Sequence, residues 1–500
     1  NYNGETGVVT GEVVTIEAAP IIVGGRTMVP LRFIAETIGY AVEWDNATKT
    51  IYLFSGAYED GRGDYIPEDA TASDPGDNMF PQGIVYTEEY TMPGDSGDGL
   101  TAMDAAMTLT LNKLNQFYTQ WVPRIPAEVN PRNVLIFCVL ALLCIGSIMV
   151  ASASMPYAER MHENPFHYIS RHGISIFVAA VAAFLAYKIP LKVWFNNTFF
   201  LWIITIVLLV AVLFVGTEVN GSKRWIRIAG FTLQASEVAK VMMAIFTADY
   251  VVRRAEEVRN NIKGLVRLSA IMGATVGLII LEPDLGATVV ITLTMLGVFF
   301  LAGAPWIQFG VAFMTLVGAF AAAILLEPYR LQRLLSFSNP WEDPLGTGYQ
   351  LSNALMAFGR GEWAGVGLGH SIQKMSYLPE AHTDFMLAIL GEEFGFLGIS
   401  TILILSFTML VCCIRIGHRA LQHQYLRAGY LAYGISIIFL LQILVNAGMN
   451  MGMLPTKGLT LPFISYGGSS LIICAVMISL ILKIDSTTRQ VNPSREESSF

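Results

Sequence analysis

Ten long apolar segments, separated by polar connections, constrain this chain more than any other feature. Most approach the roughly 20 residues that a helix needs to cross a bilayer core. Charged residues make up 14% of the chain, against roughly 25% in soluble domains. This excludes a large soluble helical core and predicts an all-α polytopic membrane protein with ten transmembrane helices. The predicted spans are about residues 134–154, 174–190, 197–216, 233–251, 265–281, 284–303, 306–326, 384–414, 428–450 and 462–483.

The charge of the chain is distributed unevenly between two parts. Residues 1–102 contain 17 acidic and 4 basic residues, a net charge of −13, whereas the remainder contains 22 acidic and 27 basic residues, a net charge of +5. Such an asymmetry indicates parts that occupy different environments. The predicted divisions are a small α+β module (1–55), an acidic linker (56–102), a cytoplasmic segment (103–132), a ten-helix domain (133–484) and a cytoplasmic tail (485–500).

The N-terminal module has its own pattern of short elements. The expected elements are strands at 8–16 and 20–23, a short helix at 31–38, and a hairpin formed by 41–44 and 50–54. Residues Gly24–Arg32, followed by Val42–Asp45, resemble the copper amine oxidase N-terminal-like domain of secreted wall-associated proteins. The resemblance implies a stalk or adhesion module without copper chemistry.

The distribution of lysine and arginine predicts the orientation of the spans. With both termini in the cytoplasm, 16 basic residues lie inside and ten outside, and the outer ones lead us to expect an anionic ligand there. This orientation conflicts with the secreted character of the N-terminal module. We therefore interpret residues 1–102 as an appended or misjoined segment, with an unusual natural fusion as the alternative. Because Asn1 is not an initiator Met, we expect a processed, trimmed or engineered start.

A polar loop of about 57 residues, from Glu327 to Thr383, separates spans 7 and 8. Loops of this length are usually functional or disordered, and the aromatic residues in this one favour order. Within it, Asp343 lies in the stretch Asn339–Gln350. Local chemistry leaves two interpretations open. Asp343 is either a turn residue, or a general base or ligand of a divalent ion beside phosphates.

Charged residues within the fourth predicted span form a second candidate site. Glu237 and Lys240 are three residues apart, so they share one face of a helix. They form either a structural ion pair or a functional pair that faces a cavity, because charge within a membrane is costly. Just before this span, Arg224 precedes Trp225 and is suited either to phosphate binding or to anchoring at the interface.

Several acidic residues lie at span boundaries. Asp284 follows Pro283 between two apolar runs, which indicates either broken half-spans around a cavity or an N-cap. Asp384 is expected to cap the eighth span, and Glu392 and Glu393 in that span cannot both face lipid. The five cysteines lie in apolar runs and are interpreted as packing residues. Without a Walker motif, coupling to ATP is unsupported.

Residues 133–484 resemble the SEDS family (shape, elongation, division and sporulation), which are polytopic bacterial glycosyltransferases. The motifs in this range look more like those of the cell-division member of the family than those of the elongation member. The matching stretches are Asn220–Trp225, Pro283–Gly286, Asn339–Gln350, Leu355–Gly361, Tyr377–Phe385, Gly391–Glu393, Pro455–Pro462 and Ser465–Ser470. The family ordinarily lacks the acidic N-terminal module.

The resemblance implies a peptidoglycan glycosyltransferase that polymerises lipid II during septal wall synthesis. It implies that Asp343 is the catalytic base, with Mg or Mn as a candidate ion beside it. The implied substrate-binding residues are Arg224, Glu237, Lys240, Asp284, Lys457 and His382.

The resemblance also implies where the protein works and with what. It places the protein in the bacterial inner membrane at the division septum, with the active loop on the periplasmic side. Its implied partners are a class B penicillin-binding protein transpeptidase and other divisome membrane proteins, with no nucleic acid. A lipid II flippase and a non-catalytic divisome scaffold are the alternative functions.

Overall fold

The computed structural model describes residues 114–115, 118, 122, 130–219, 222–228, 231–325, 337, 339–375, 377–455 and 458–490, and the backbone of seven strands before residue 56. Lys457 lies outside these ranges. The chain forms two compact units, Asn1–Asp98 and Gly99–Phe500.

Short antiparallel strands form the described part of the first unit. They are β1 (Tyr2–Asn3), β2 (Thr6–Val9), β3 (Glu12–Thr15), β4 (Ile21–Val23), β5 (Arg26–Met28), β6 (Tyr40–Asp45) and β7 (Thr50–Ser55). The pairing of β6 with β7 confirms the predicted hairpin. The continuous strand predicted at 8–16 is wrong, because β2 and β3 pair with each other on either side of Thr10-Gly11. A glycine within a strand pattern favours such an interruption. The predicted helix at 31–38 and linker at 56–102 lie outside the described residues.

Helices dominate the second unit. In the described residues they are α1 (Pro131–His162), α2 (His167–Lys188), α3 (Leu191–Asn196), α4 (Thr198–Val215), α5 (Ala235–Arg253), α6 (Ala255–Asn260), α7 (Ile262–Leu281), α8 (Leu285–Leu301), α9 (Trp306–Leu325), α10 (Tyr349–Gly361), α11 (Met386–Gln422), α12 (Leu426–Asn450) and α13 (Gly468–Gln490). Side-chain caps fix several helix starts. Asn130 accepts a hydrogen bond from the amide of Arg132 at α1, and Asn261 accepts one from Lys263 at α7.

Seven of these helices are long and apolar enough to cross a membrane, counted over the described residues: α1, α2, α4, α7, α11, α12 and α13. The protein is therefore a multi-pass membrane protein. The other three predicted spans are helices too. Of these, α5 carries charged residues, while α8 and the first part of α9 are apolar but shorter.

The helices divide into a central and a peripheral set. Within an apolar 18-residue stretch of each helix, 72% of the residues of α12 and 67% of those of α13 are buried. The corresponding buried shares are only 22% in α4 and 28% in α7. The peripheral helices therefore present apolar side chains outward, as expected against lipid. Four of the five cysteines are buried, as predicted, and Cys144 is exposed on α1.

Two features between the helices were not predicted. A three-stranded antiparallel sheet connects α4 to α5, formed by β8 (Thr217–Val219), β9 (Ser222–Ile228) and β10 (Phe231–Gln234). The long polar loop contains helix α10, and the segment after α10 packs into a break in α11. At this break Gly395 has φ 64° and ψ −160°. A Cβ atom there would lie 2.5 Å from the amide nitrogen of Gly365, so close backbone packing requires glycine.

Candidate functional site

Arg224 connects the β-sheet to the junction between α7 and α8. Its Nε donates a hydrogen bond to the carbonyl of Glu282 at 3.1 Å, and its Nη2 donates to the carbonyl of Pro283 at 2.6 Å. These carbonyls lie just past the C-terminus of α7, where a cation is favoured by the helix dipole. Because a guanidinium has five N–H donors, this anchoring leaves others available to an anionic ligand.

Asp284 joins the starts of two helices. Its Oδ1 accepts from the amide of Ala287, which makes it the N-cap of α8 and confirms one of the two sequence interpretations. Its Oδ2 accepts from Ser236 Oγ at 2.8 Å and from Gln234 Nε2 at 3.1 Å. The buried carboxylate therefore binds the start of α5 to the start of α8.

Glu237 and Lys240 form a buried ion pair in the first turns of α5. The Nζ of Lys240 lies 2.7 Å from Oε1 of Glu237, and the side chains are 0% and 6% exposed. The second oxygen of Glu237, Oε2, has no hydrogen-bond partner among the described residues. The pairing predicted from the spacing is confirmed. The orphaned oxygen is a property that a fully satisfied structural pair would not show.

Glu282 was not recognised as a candidate from the sequence. Its side chain is completely buried, and neither carboxylate oxygen has a hydrogen-bond partner in the described part of the chain. Burial and the neighbouring carboxylate of Asp284 raise the pKa of Glu282 to about 8, with Arg224 opposing the rise. Glu282 is therefore largely protonated at neutral pH, which reduces the negative charge at this junction.

Asp384 faces the same group of charges. Burial and Glu380 raise the pKa of Asp384 to about 7, Asp284 adds to the rise, and Arg224 opposes it. The expectation that Asp384 caps α11 is wrong, because the cap position is Phe385 and no side-chain cap forms. Instead, the backbone carbonyl of Asp384 accepts hydrogen bonds from two asparagines of α12, Asn446 and Asn450, each at 3.0 Å. The capping prediction failed because the N-cap lies one residue later than the apolar run suggests.

His382 lies in an aromatic cluster. Its ring centroid is 4.8 Å from that of Tyr168, 5.3 Å from Tyr157 and 5.7 Å from Tyr466. Burial lowers the pKa of His382, with Glu380 opposing the change, so the ring is neutral near pH 7. The observed partners of the His382 ring are the three tyrosines, and no described hydrogen bond joins it to Arg224.

Asp343 lies on an exposed turn before α10. Its Oδ2 accepts from the amide of Thr347 at 2.8 Å and from the hydroxyl of Thr347 at 3.2 Å. A Cβ atom at Gly346 would lie 2.2 Å from this oxygen, so any side chain at position 346 would displace the carboxylate. The turn interpretation is thus correct for one oxygen. The other, Oδ1, has no hydrogen bond in the described residues and remains accessible for chemistry.

Two adjacent glutamates of α11 hold the segment that follows α10. Glu392 accepts from Arg360 Nη1 at 2.6 Å and from the amides of Ile372 and Gln373 at 3.0 and 3.2 Å. Glu393 accepts from Lys374 Nζ at 2.6 Å. Both glutamates are fully buried, which confirms the prediction that they do not both face lipid. However, Arg360 and Lys374 have carboxylate partners within the protein, so for these two basic residues the expected anionic ligand is unnecessary.

The structure therefore brings together Arg224, Asp284, Glu282 and Asp384, with the Glu237–Lys240 pair at the start of α5. It does not place Asp343 in contact with this group through any described hydrogen bond. Arg224 and Lys240 are the cations of this group, and at a site of limited water access such groups act strongly on a nearby anion. Glu282 and the buried environment of Asp384 were not predicted, because only tertiary contacts bury these residues.

Residues 132–490 match the Cell cycle protein family of FtsW, RodA and SpoVE, and residues 2–53 match the Copper amine oxidase N-terminal domain. The chain is 74% identical over 391 residues to a probable peptidoglycan glycosyltransferase FtsW from Acinetobacter baylyi, covering 78% of this chain and 98% of the relative. A relative with the same name from Alteromonas naphthalenivorans is 49% identical over 355 residues, covering 71% of this chain and 69% of the relative.

Two solved structures are similar in fold. One is described as a peptidoglycan synthase complex that coordinates polymerization and crosslinking, with a TM-score of 0.58, 26% identity, and coverage of 71% of this chain and 98% of that chain. The other is the rod shape determining protein RodA of Thermus thermophilus, with a TM-score of 0.51, 26% identity, and coverage of 70% and 95%. Because the family match spans most of the helical unit and the relatives agree along it, the chain belongs to the family of FtsW, RodA and SpoVE cell cycle proteins.

Proposed function

We propose that this chain is a peptidoglycan glycosyltransferase that polymerises lipid II into glycan strands during septal cell-wall synthesis. The relative from Acinetobacter baylyi, which matches the chain over 98% of its own length, is named for this activity. The structural observation that carries the proposal is the buried Glu237–Lys240 pair with its orphaned oxygen. A buried ion pair is weak evidence for stability, so a role in binding accounts better for its presence.

In the proposed reaction, the 4-hydroxyl of the acceptor sugar attacks the anomeric carbon of the donor, whose bond to the lipid pyrophosphate breaks. The carboxylate of Asp343 takes the proton of that hydroxyl. The oxygen suited to this is Oδ1, because Oδ2 accepts two hydrogen bonds from Thr347. Attack on the face opposite the leaving group inverts the sugar.

Positive charge near the leaving group completes the proposed mechanism. As the bond breaks, negative charge grows on the pyrophosphate, and Arg224, Lys240 and Lys457 are the residues proposed to stabilise it. Glu237 and Asp284 are proposed to position these groups, and His382 to line the substrate site. The neutral form of Glu282 supports this arrangement, since an ionised carboxylate there would repel the pyrophosphate.

A divalent ion is proposed to bind at Asp343. The described residues contain no group of three or more His, Cys, Asp or Glu side chains that could hold a metal. Mg or Mn would therefore bind through the carboxylate of Asp343 together with phosphate oxygens of the substrate, as Mg commonly does. When bound, the ion supplies additional positive charge at the pyrophosphate.

The proposed topology has ten spans, with both ends of the 133–484 domain in the cytoplasm and the Asp343 loop in the periplasm. Three helices, α5, α8 and α9, complete the ten. Charged residues within α5 are compatible with a span because most of its side chains are buried by other helices. The proposed location is the inner membrane at the division septum. The proposed partners are a class B penicillin-binding protein and other divisome membrane proteins.

The test of this function uses purified protein, its partner and fluorescent lipid II, with the products separated on a gel. Asp343→Asn is expected to reduce polymerisation by about 10²-fold to 10⁴-fold, the usual contribution of a general base. Glu342→Gln is the matched control, since it removes the adjacent exposed acid, and it should leave activity unchanged. Polymer formation by Asp343→Asn at the wild-type rate would contradict the mechanism. Lipid II translocation without polymer by the wild-type protein would support the flippase alternative.

A further inference from the structure

A cavity of about 480 Å³ lies between α4, α5 and α7, away from the candidate active site. It is lined by Arg253 at the end of α5, whereas Lys240 lies near the start of the same helix. Their separation of 13 positions corresponds to roughly 20 Å along the helix axis. The cavity therefore lies near the opposite membrane surface, and its volume is in the range of small-molecule sites.

Three arginines line this cavity: Arg253, Arg254 and Arg267. Their side chains are about half exposed, at 51%, 52% and 51%. A single carboxylate, Glu257, accepts from Arg254 at 3.0 Å and from Arg267 at 2.7 Å. Each of these guanidiniums uses one of its nitrogens in that contact, so most of their N–H donors are not used there.

The remaining arginine of the cavity also shares its carboxylate. Asp249 lies 3.2 Å from Arg253 and 3.3 Å from Arg427. Four guanidiniums therefore share two carboxylates, and the group keeps a net positive charge. A phosphate ester has the charge and the acceptor oxygens that such a group binds well.

The rest of the cavity wall is aromatic. Consecutive ring centroids lie 6.0, 6.5 and 6.2 Å apart, and the rings belong to Phe199, Trp202, Phe246 and Tyr250. The indole N–H of Trp202 donates to α7 at 3.2 Å, and the hydroxyl of Tyr250 donates to α7 at 2.8 Å. Because the polar atoms of both rings are already paired within the protein, the wall offers apolar surface to a ligand.

The position of the cavity predicts contact with lipid. Both α4 and α7 are peripheral helices, and Phe199 is 56% exposed. A ligand here would place an anionic head against the arginines and an apolar body along the aromatic wall. We propose that the cavity binds an anionic glycerophospholipid, as a structural lipid held between α4, α5 and α7. Basic pockets between spans at a membrane surface bind lipid headgroups in this way.

Ordinary membrane anchoring is the competing explanation, because arginine and aromatic residues concentrate at the membrane surface without binding a particular lipid. The two explanations differ in saturation. A built site takes up one lipid with measurable affinity, whereas an anchoring belt has no saturable lipid.

Native mass spectrometry of the full chain in detergent micelles separates these explanations. Dioleoylphosphatidylglycerol is expected to bind as a single saturable lipid, and dioleoylphosphatidylcholine is not. The double variant Arg254→Gln/Arg267→Gln should bind roughly 25-fold more weakly, about fivefold for each arginine. The control Lys188→Gln/Lys192→Gln removes two exposed lysines elsewhere in the helical unit and should bind as the wild-type protein does.

Competition experiments identify the source of the phosphate group that the cavity binds. Competition by inorganic phosphate at millimolar concentration would replace the lipid with a free anion and overturn the proposal. Tighter binding of undecaprenyl pyrophosphate than of phosphatidylglycerol would overturn it too.

A phosphatidylglycerol with a diazirine in its acyl chain tests the wild-type protein directly, even if the double variant folds poorly. Crosslinks are expected in α4 and α7, and crosslinks confined to other helices would refute the site.

Discussion

Removing one partner of the Glu237–Lys240 ion pair should destabilise the protein strongly. The side chain of Lys240 is 0% exposed, and its Nζ lies 2.7 Å from Glu237 Oε1. Lys240→Met removes the observed partner of Glu237 Oε1, and Oε2 already lacks a partner among the described residues. Loss of one partner of a buried pair typically costs about 3–5 kcal/mol. We therefore expect a decrease of that size in the free energy of unfolding.

The double variant Glu237→Gln/Lys240→Met separates stability from function. Removing both charges eliminates the uncompensated carboxylate, so stability should return to within about 1–2 kcal/mol of wild type. Polymerisation of lipid II should remain lost, because the proposed contact of Lys240 with the pyrophosphate is still missing. Denaturation by SDS, followed by tryptophan fluorescence, measures the stability, and the gel assay measures the activity.

A matched control and a refuting result complete this test. Lys192→Met makes the same side-chain change at an exposed position and should alter stability by less than about 0.5 kcal/mol. Wild-type stability of Lys240→Met would refute the claim that the pair is buried and coupled. Wild-type polymerisation by the double variant would refute its role in the reaction and leave the pair with a structural role alone.

Three further outcomes are expected. Gly346→Ala should reduce polymerisation by about tenfold to 100-fold, because the new Cβ displaces the carboxylate of Asp343, while Gly359→Ala, where a Cβ meets no atom within 4 Å, should not. Raising the pH from 5 to 8 should lower the melting temperature of the wild type relative to Asp384→Asn. The raised pKa of Asp384 favours folding while the group is protonated, and this contribution is lost as pH rises through about 7; parallel melting profiles would contradict it. Deleting residues 1–102 should leave polymerisation unchanged, and marked loss would make that segment a functional part of the enzyme.

The helices could be predicted because hydrophobic length is a local property. All ten predicted spans are helices in the structure, and seven are long and apolar enough to cross a membrane. Spacing also predicted the Glu237–Lys240 contact, because residues three apart on a helix share a face. The N-cap role of Asp284 was one of the two interpretations that the sequence offered, because a cap depends only on the next turn of the chain.

The burial of single charges could not be predicted in this way. Burial by helices and loops, many of them distant in sequence, is the largest cause of the raised pKa values of Glu282 and Asp384 and of the lowered pKa of His382. From the sequence, Arg360 and Lys374 were expected to bind an anionic ligand, but in the structure they pair with glutamates of α11. A pattern within one segment does not predict which distant carboxylate a basic residue will pair with.

The sequence by itself determined that this is a membrane protein of many helices, where the polar interruptions occur, and which family it resembles. The tertiary structure alone decided which charges distant in sequence are paired within the protein and which retain an open atom for a ligand. The physical reason is that apolar length is encoded residue by residue, whereas desolvation and pairing depend on every element that packs around a group.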